Sequence, residues 1–267
     1  MTRQVEVTLN GLRTIIREHG RPETPADRTL ICLHPIGQEA SYHDGLARAL
    51  GDDWRVIGHD QRGHGVAATQ PAQCLAQMVD DAEALIDHIG GPAHLAGFSM
   101  GGSIAAELAA RRSSHVISVT LAATPARGLP VFAERACAVE AGSVAAVAEP
   151  TVERWFGRRH GLSAIDVARA SLGKMTPQGY DAVWRSLASF RGYEPIAALL
   201  PPALCLSFSD DLSTPPEVLD EIARTIRAAG GVATRHNIGG AGHMGLLQVP
   251  EQVASAFRQF AQQRELV

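Results

Sequence analysis

Short apolar runs of strand length alternate with helix-length amphipathic segments along most of this 267-residue chain, and no other feature constrains its fold as much. The runs are Thr29–Leu33, Arg55–Gly58, His94–Ala96, Val116–Ala122, Ala203–Phe208 and Val232–Ile238. Between them, Met78, Ala82, Leu85, Ile86 and Ile89 recur at helical period and stop at Gly90-Gly91, a glycine helix end. Ser41–Leu50, Gly101–Ala110, Pro216–Ala229 and Pro250–Phe260 read as further helices. Strands that are apolar along their whole length must be covered on both sides. The expectation is therefore an α/β protein: a mostly parallel central sheet with helices on both faces. Ahead of it, Val5–Leu9 and Thr14–Glu18 flank Asn10-Gly11, the signal of an antiparallel hairpin.

One stretch breaks the alternation. From Pro125 to Pro195 the chain is helix-rich and carries Trp155, Phe156, Trp184 and Phe190. It holds nine basic residues against seven acidic ones, whereas the whole chain has net charge −4. It reads as a helical cap, residues 125–195, inserted into an α/β body made of residues 1–124 and 196–267.

Composition excludes several classes. With 45% hydrophobic residues the chain can bury a sizeable core. Its acidic balance argues against a nucleic-acid partner, which needs a basic footprint. Apart from Lys174, every basic residue is arginine, and these are scattered. No apolar run approaches the roughly 18 residues of a membrane span, and Met1-Thr-Arg-Gln-Val-Glu-Val lacks the apolar stretch of a secretory signal. Cys32, Cys74, Cys137 and Cys205 stand far apart with no C-x-x-C pair, so no zinc site or disulfide framework is expected. The 11 histidines show no H-x-x-x-H or H-x-H spacing. The expectation is a soluble, cytoplasmic protein without metal, other cofactor, nucleic-acid or membrane partner, as a monomer or a homodimer.

Gly97-Phe98-Ser99-Met100-Gly101-Gly102 lies between a predicted strand and a predicted helix. A tight strand-to-helix turn there would lift the Ser99 hydroxyl above the sheet, with glycines two residues to either side leaving room for the backbone. A nucleophilic serine needs a base, and the base an orienting carboxylate. Both follow in chain order at strand ends. Asp211 comes after Ala203–Phe208, and His243, flanked by glycines, after Val232–Ile238. Asp210 is the adjacent alternative acid; Asp211 is preferred because it stands three residues before Thr214-Pro215. The end of Val116–Ala122 offers Ala123-Thr124-Pro125 and no carboxylate. The N–H of Met100, first in its helix, would face a developing oxyanion. The loop His34-Pro35-Ile36-Gly37 would supply the second donor. Pro35 has no N–H, so Ile36 is the natural choice, and Gly37 permits close approach. His34 braces that loop, and Asp60-Gln61-Arg62-Gly63-His64-Gly65 reads as a structural turn.

With these residues the chain resembles the α/β-hydrolase superfamily over nearly its whole length and, within it, the 3-oxoadipate enol-lactonase group. The likeness is carried by Gly97 to Gly102, Leu121-Ala122-Ala123-Thr124, Arg154-Trp155-Phe156, Thr176-Pro177-Gln178-Gly179-Tyr180 and Asp211-Leu212-Ser213-Thr214-Pro215. Three features depart from that group. His34-Pro35-Ile36-Gly37 stands where the group resembles Asn-Ser-Leu-Gly, Phe208 replaces a glycine before the acid turn, and Ser189-Phe190-Arg191 replaces an acidic stretch. The triad is intact, so the departures bear on substrate. The resemblance implies that Trp155 reaches from the cap over a substrate ring; a tryptophan filling space between cap helices is the other account. It also implies a cap arginine (Arg154, Arg158, Arg159 or Arg191) holding a substrate carboxylate, against solvated surface arginines.

These observations together imply a serine hydrolase that cleaves a small ester or lactone through an acyl-enzyme. The same triad also serves amide or enamine hydrolysis, carbon–carbon bond hydrolysis and perhydrolysis. A ligand receptor on the same fold would be expected to have lost a triad member.

Overall fold

The computed structural model describes residues 2–139, 143–156 and 162–267. Strands β1 (Thr2–Leu9) and β2 (Leu12–His19) form the expected hairpin, in register Leu9↔Leu12. Asn10 (φ 47°) and Gly11 (φ 75°) make its two-residue turn, where positive φ at both positions matches the twist of the strands. The other strands are β3 (Thr29–Leu33), β4 (Arg55–His59), β5 (Ala93–Phe98), β6 (Val116–Ala122), β7 (Ala203–Phe208) and β8 (Ala233–Ile238). All eight pair in one sheet, in the order β1-β2-β4-β3-β5-β6-β7-β8. β1 and β2 run antiparallel, and β3 to β8 are mutually parallel. Every residue of β3, β5 and β7 is buried, as continuous apolar runs require.

The strand order settles where the helices lie. The chain moves from β3 to β4 in one direction through α1 (Asp44–Leu50), then returns past β3 to β5 through α2 (Leu75–Ile89) and on to β6 through α3 (Met100–Arg111). With right-handed crossovers, this reversal puts α1 on one face and α2 and α3 on the other. The packing agrees: α2 lies on α3, and α1 on the closing helix (Pro250–Gln263). The reversal also opens a crevice between the carboxyl ends of β3 and β5, the place where open α/β sheets build their sites.

Between β6 and β7 the chain leaves the sheet to form α4 (Pro130–Cys137), α5 (Ala145–Phe156), α6 (Leu162–Leu172) and α7 (Pro177–Ala188), the inserted helical cap. Helices α4 and α7 pack on each other, as do α5 and α6. Beyond β7 come α8 (Pro216–Ala228), the one-turn α9 (Gly245–Gln248) and α10 (Pro250–Gln263). Two of the differences between sequence and structure lie near the site. The expected helix over Ser41–Leu50 opens as a 3₁₀ turn, Ala40–His43. Strand β5 runs on to Phe98 because Gly97, which breaks an apolar pattern, still pairs with Leu33.

Candidate active site

Three strand ends bring the triad together. His243 Nε2 lies 3.0 Å from Ser99 Oγ. Its Nδ1 lies 2.8 Å from Asp211 Oδ2, and both side chains of that pair are buried. Asp211 Oδ1 accepts the N–H groups of Ser213 at 2.7 Å and Thr214 at 2.8 Å. The acid therefore has one oxygen fixed by its own turn and the other free to orient the imidazole. Asp210 bonds Ser209 Oγ and stays out of the relay.

Ser99 sits at φ 52° and ψ −118°, a backbone state L residues rarely adopt. Its N–H reaches the Ala122 carbonyl at 2.8 Å and its carbonyl the Gly102 N–H at 2.9 Å. The flanking glycines are required by space. A Cβ on Gly97 would run into the Gly101 carbonyl, and one on Gly101 into the Leu33 carbonyl. Phe208 is accommodated in the same way, since its ring fills the place a side chain on Gly245 would need.

Ile36 and Met100 are both buried, and their N–H groups enter no turn, loop or cap hydrogen bond among the described residues. Met100 opens α3, where the first N–H groups have no intrahelical acceptor. The loop carrying Ile36 is held by two histidines. His64 Nε2 accepts the Gly37 N–H at 3.0 Å, and its Nδ1 faces the Arg62 carbonyl at 2.9 Å. His34 Nε2 accepts the Gln61 N–H at 3.1 Å, and its Nδ1 faces the Pro35 carbonyl at 2.9 Å. A backbone N–H pointing at Nε2 places the proton on Nδ1, so both rings are neutral. Burial lowers His64 to about 4 and His34 well below the ordinary value. Asp60 completes the brace by accepting the N–H groups of Ala40 and Val66, each at 2.8 Å.

Ser99, His243 and Ile36 line a cavity of about 20 Å³ together with Trp155, Trp184 and Arg135. That is room for about one water. An open groove of about 700 Å³ beside the hairpin, lined by Glu6, Arg13 and Gln70 among others, holds none of the triad.

Trp155 is a buried member of the cap core and also lines the cavity. Gly37 accommodates this ring. A Cβ there would stand 2.7 Å from Trp155 Cη2, and the residue has φ +78°. Of the cap arginines named from sequence, Arg191 is exposed, Arg154 is half-buried, and Arg158 and Arg159 lie outside the described residues. Among the described residues the arginine that lines the cavity is Arg135, which the sequence reading does not name. Phe132 and Arg135, three residues apart on α4, share the face turned to Trp184; that spacing was the available signal. Among the described residues no group of three or more His, Cys, Asp or Glu side chains is placed to hold a metal ion. Among the described residues no helix is long and apolar enough to cross a membrane.

The model of a family described as "Alpha/beta hydrolase family" matches residues 30–256. A 3-oxoadipate enol-lactonase of Acinetobacter baylyi is 27% identical over 210 residues, covering 75% of this chain and 77% of that protein. A thermophilic esterase from Thermogutta terrifontis superposes with a TM-score of 0.84 at 25% identity, covering 98% of each chain. The enol-lactonase from Burkholderia xenovorans LB400 shares the fold at a TM-score of 0.86 and 23% identity, covering 97% of this chain and all of that one (100%).

Proposed function

This chain belongs to the alpha/beta hydrolase family, and on that premise we propose that it is a serine hydrolase of small esters or lactones. The observation that carries the reading is the continuous relay Asp211–His243–Ser99, with contacts of 2.8 and 3.0 Å at the mouth of a capped cavity. Ser99 Oγ attacks the carbonyl carbon while His243 Nε2 takes its proton. Asp211 holds the proton on Nδ1 and stabilises the imidazolium. The N–H groups of Ile36 and Met100 receive the oxyanion. Collapse expels the alcohol oxygen, protonated by His243, and leaves an acyl-Ser99. Water, deprotonated by His243, then releases the acid. In a lactone the leaving oxygen stays tethered to the acyl chain, so one opened hydroxy acid or its keto tautomer is the product.

Residues 125–195 serve as the cap that selects substrate, with Trp155 and Gly37 shaping the pocket wall. Likeness to an enol-lactonase and an esterase supports this substrate range. We place the protein in a reducing compartment, the cytoplasm, where the exposed Cys74 and Cys137 thiols stay reduced. Intact-mass measurement after exposure to a small fluorophosphonate tests the reading. A single adduct mapping to Ser99, absent in His243→Ala, is expected; folded protein that takes no adduct overturns it.

A further inference from the structure

We infer that the Trp184 indole N–H and the Ser213 hydroxyl select esters or lactones that carry an uncharged acceptor oxygen, an ether or a ketone, near the scissile carbonyl. The inference rests on the hydrolase reading and narrows its substrate class.

Both residues line the cavity with Ser99 and His243. Trp184 Nε1 and Ser213 Oγ are buried, and neither has a hydrogen-bond partner among the described residues. Other buried polar atoms in that condition, such as Ser103 Oγ, Thr120 Oγ1 and Ser186 Oγ, belong to residues that do not line the cavity. A buried donor without an acceptor is costly, and a buried indole N–H ordinarily finds one. Two such donors stand where a substrate must bind, so the substrate is the acceptor they lack.

Both groups are held in place. Trp184, 5% exposed, packs between the rings of Phe132 and Tyr180, at 5.4 and 6.1 Å between centroids, with the Arg135 guanidinium carbon 5.0 Å from its own centroid. The Ser213 backbone is tied to the turn of the acid, since its N–H reaches Asp211 Oδ1 at 2.7 Å. Because Ser213 shares that turn with Asp211 and the cavity with Ser99, the oxygen it meets lies near the reacting carbonyl.

The donor chemistry sets the ligand. An indole N–H can only donate, so its partner must be an acceptor. Neither group carries a charge, and the oxygen they recognise needs none. Ile36, Pro125, Phe132 and Leu187 supply apolar wall around them. In such surroundings a ligand with a methylene in place of the oxygen leaves the donors desolvated and unmet, which is how buried polar groups discriminate.

The test compares 1,4-dioxan-2-one with δ-valerolactone, the same lactone ring with a methylene in place of the ether oxygen. Intrinsic reactivity divides out when their kcat/KM ratio is compared between proteins. We expect Trp184→Phe and Ser213→Ala each to lower the dioxanone-to-valerolactone ratio by about fivefold, the scale of a neutral hydrogen bond. Ser186→Ala, which removes an unpaired hydroxyl of α7 outside the cavity lining, should keep the ratio. A ratio that either cavity variant leaves unmoved overturns the inference while leaving the hydrolase reading in place.

Nuclear magnetic resonance of Ser99→Ala with isotope-labelled indole nitrogens separates the two readings, because it needs no turnover. The chain has three tryptophans, and Trp184→Phe in the same background assigns the Trp184 signal by its loss. Saturating dioxanone should move the Trp184 indole proton downfield and valerolactone should not, even if no lactone is cleaved. Equal shifts with the two lactones, or none with dioxanone, overturn the inference.

Discussion

The Trp155 carbonyl accepts the His243 N–H at 2.7 Å, so the cap holds the base of the triad by its own backbone. The same residue lays its ring against Gly37, next to the proposed oxyanion donor Ile36. Gly242 has no space for a side chain, since a Cβ there would stand 2.5 Å from the Trp155 carbonyl oxygen. The end of α5 thus touches both loops on which the chemistry depends. One cap residue therefore contacts both the base and the oxyanion loop.

Asp211→Asn should cost roughly 10⁴-fold in kcat, because an amide nitrogen facing His243 Nδ1 forces the wrong tautomer. Its carbonyl can still accept the Ser213 and Thr214 N–H groups, so the turn survives. Asp210→Asn should cost less than about tenfold, since among the described residues the Asp210 carboxylate is bonded by the Ser209 hydroxyl and not by His243. Steady-state kinetics on one ester rank the two variants. The reverse ranking would transfer the acid role to Asp210.

Ser99 stores strain, and two substitutions expose it. Both Ser99→Ala and Ser99→Gly remove the nucleophile and should lose at least roughly 10⁴ of kcat. Only glycine accepts φ 52° with ψ −118° at no steric cost. Ser99→Gly should therefore be more stable than Ser99→Ala by about 1–2 kcal/mol, several degrees of melting temperature. Thermal unfolding of the two inactive proteins measures this, and coincident melting curves would show an unstrained turn.

The sheet, the hairpin turn and the order Ser99, Asp211, His243 were legible because each depends on local pattern. Strand burial writes continuous apolar runs, Asn10-Gly11 writes its own turn, and the close approach at the nucleophile turn admits only Gly97 and Gly101. The cap was legible as an interruption but not as a surface. Which arginine reaches the cavity depends on how α4 lies against α7, a packing relation between residues 49 apart such as Arg135 and Trp184. Sequence alone therefore names Arg154, Arg158, Arg159 and Arg191 and has no local signal strong enough to add Arg135. The bracing by His64 was legible only as a structural turn. Its bond to Gly37 crosses from one strand-end loop to another, and no spacing within either loop encodes it.

Buried neutral histidines set the acid stability. Burial lowers His59, His64 and His94 to about 4 and His43 to about 3, from an ordinary 6.5. Between about pH 6.5 and 4 the unfolded chain binds protons at these sites and the native state does not, so stability falls as pH falls through that window. Each histidine contributes a slope of about 1.4 kcal/mol per pH unit where the difference is complete. Urea unfolding near pH 7 and near pH 5 should show a large loss at the lower value. Equal midpoints would mean that these rings protonate in the native state without penalty.

The contact between Gly37 and Trp155 makes the last prediction. A methyl group at position 37 would stand 2.7 Å from Trp155 Cη2 and 3.0 Å from Leu172 Cδ1, on a backbone at φ +78°. The left-handed state alone costs an L residue about 1–2 kcal/mol, and the clash pushes the ring or the oxyanion loop aside. Gly37→Ala should thus lower both stability and kcat. Trp155→Phe removes the atom in collision while keeping the backbone carbonyl that holds His243. In a double-mutant cycle the pair should be less damaging than the sum of its parts, by about 1 kcal/mol or more. The backbone penalty remains in both Gly37→Ala proteins and cancels in the cycle, so the coupling reports the side-chain contact alone. Additive effects would mean that the ring relaxes freely away from residue 37, and that Trp155 reaches the oxyanion loop without constraining it.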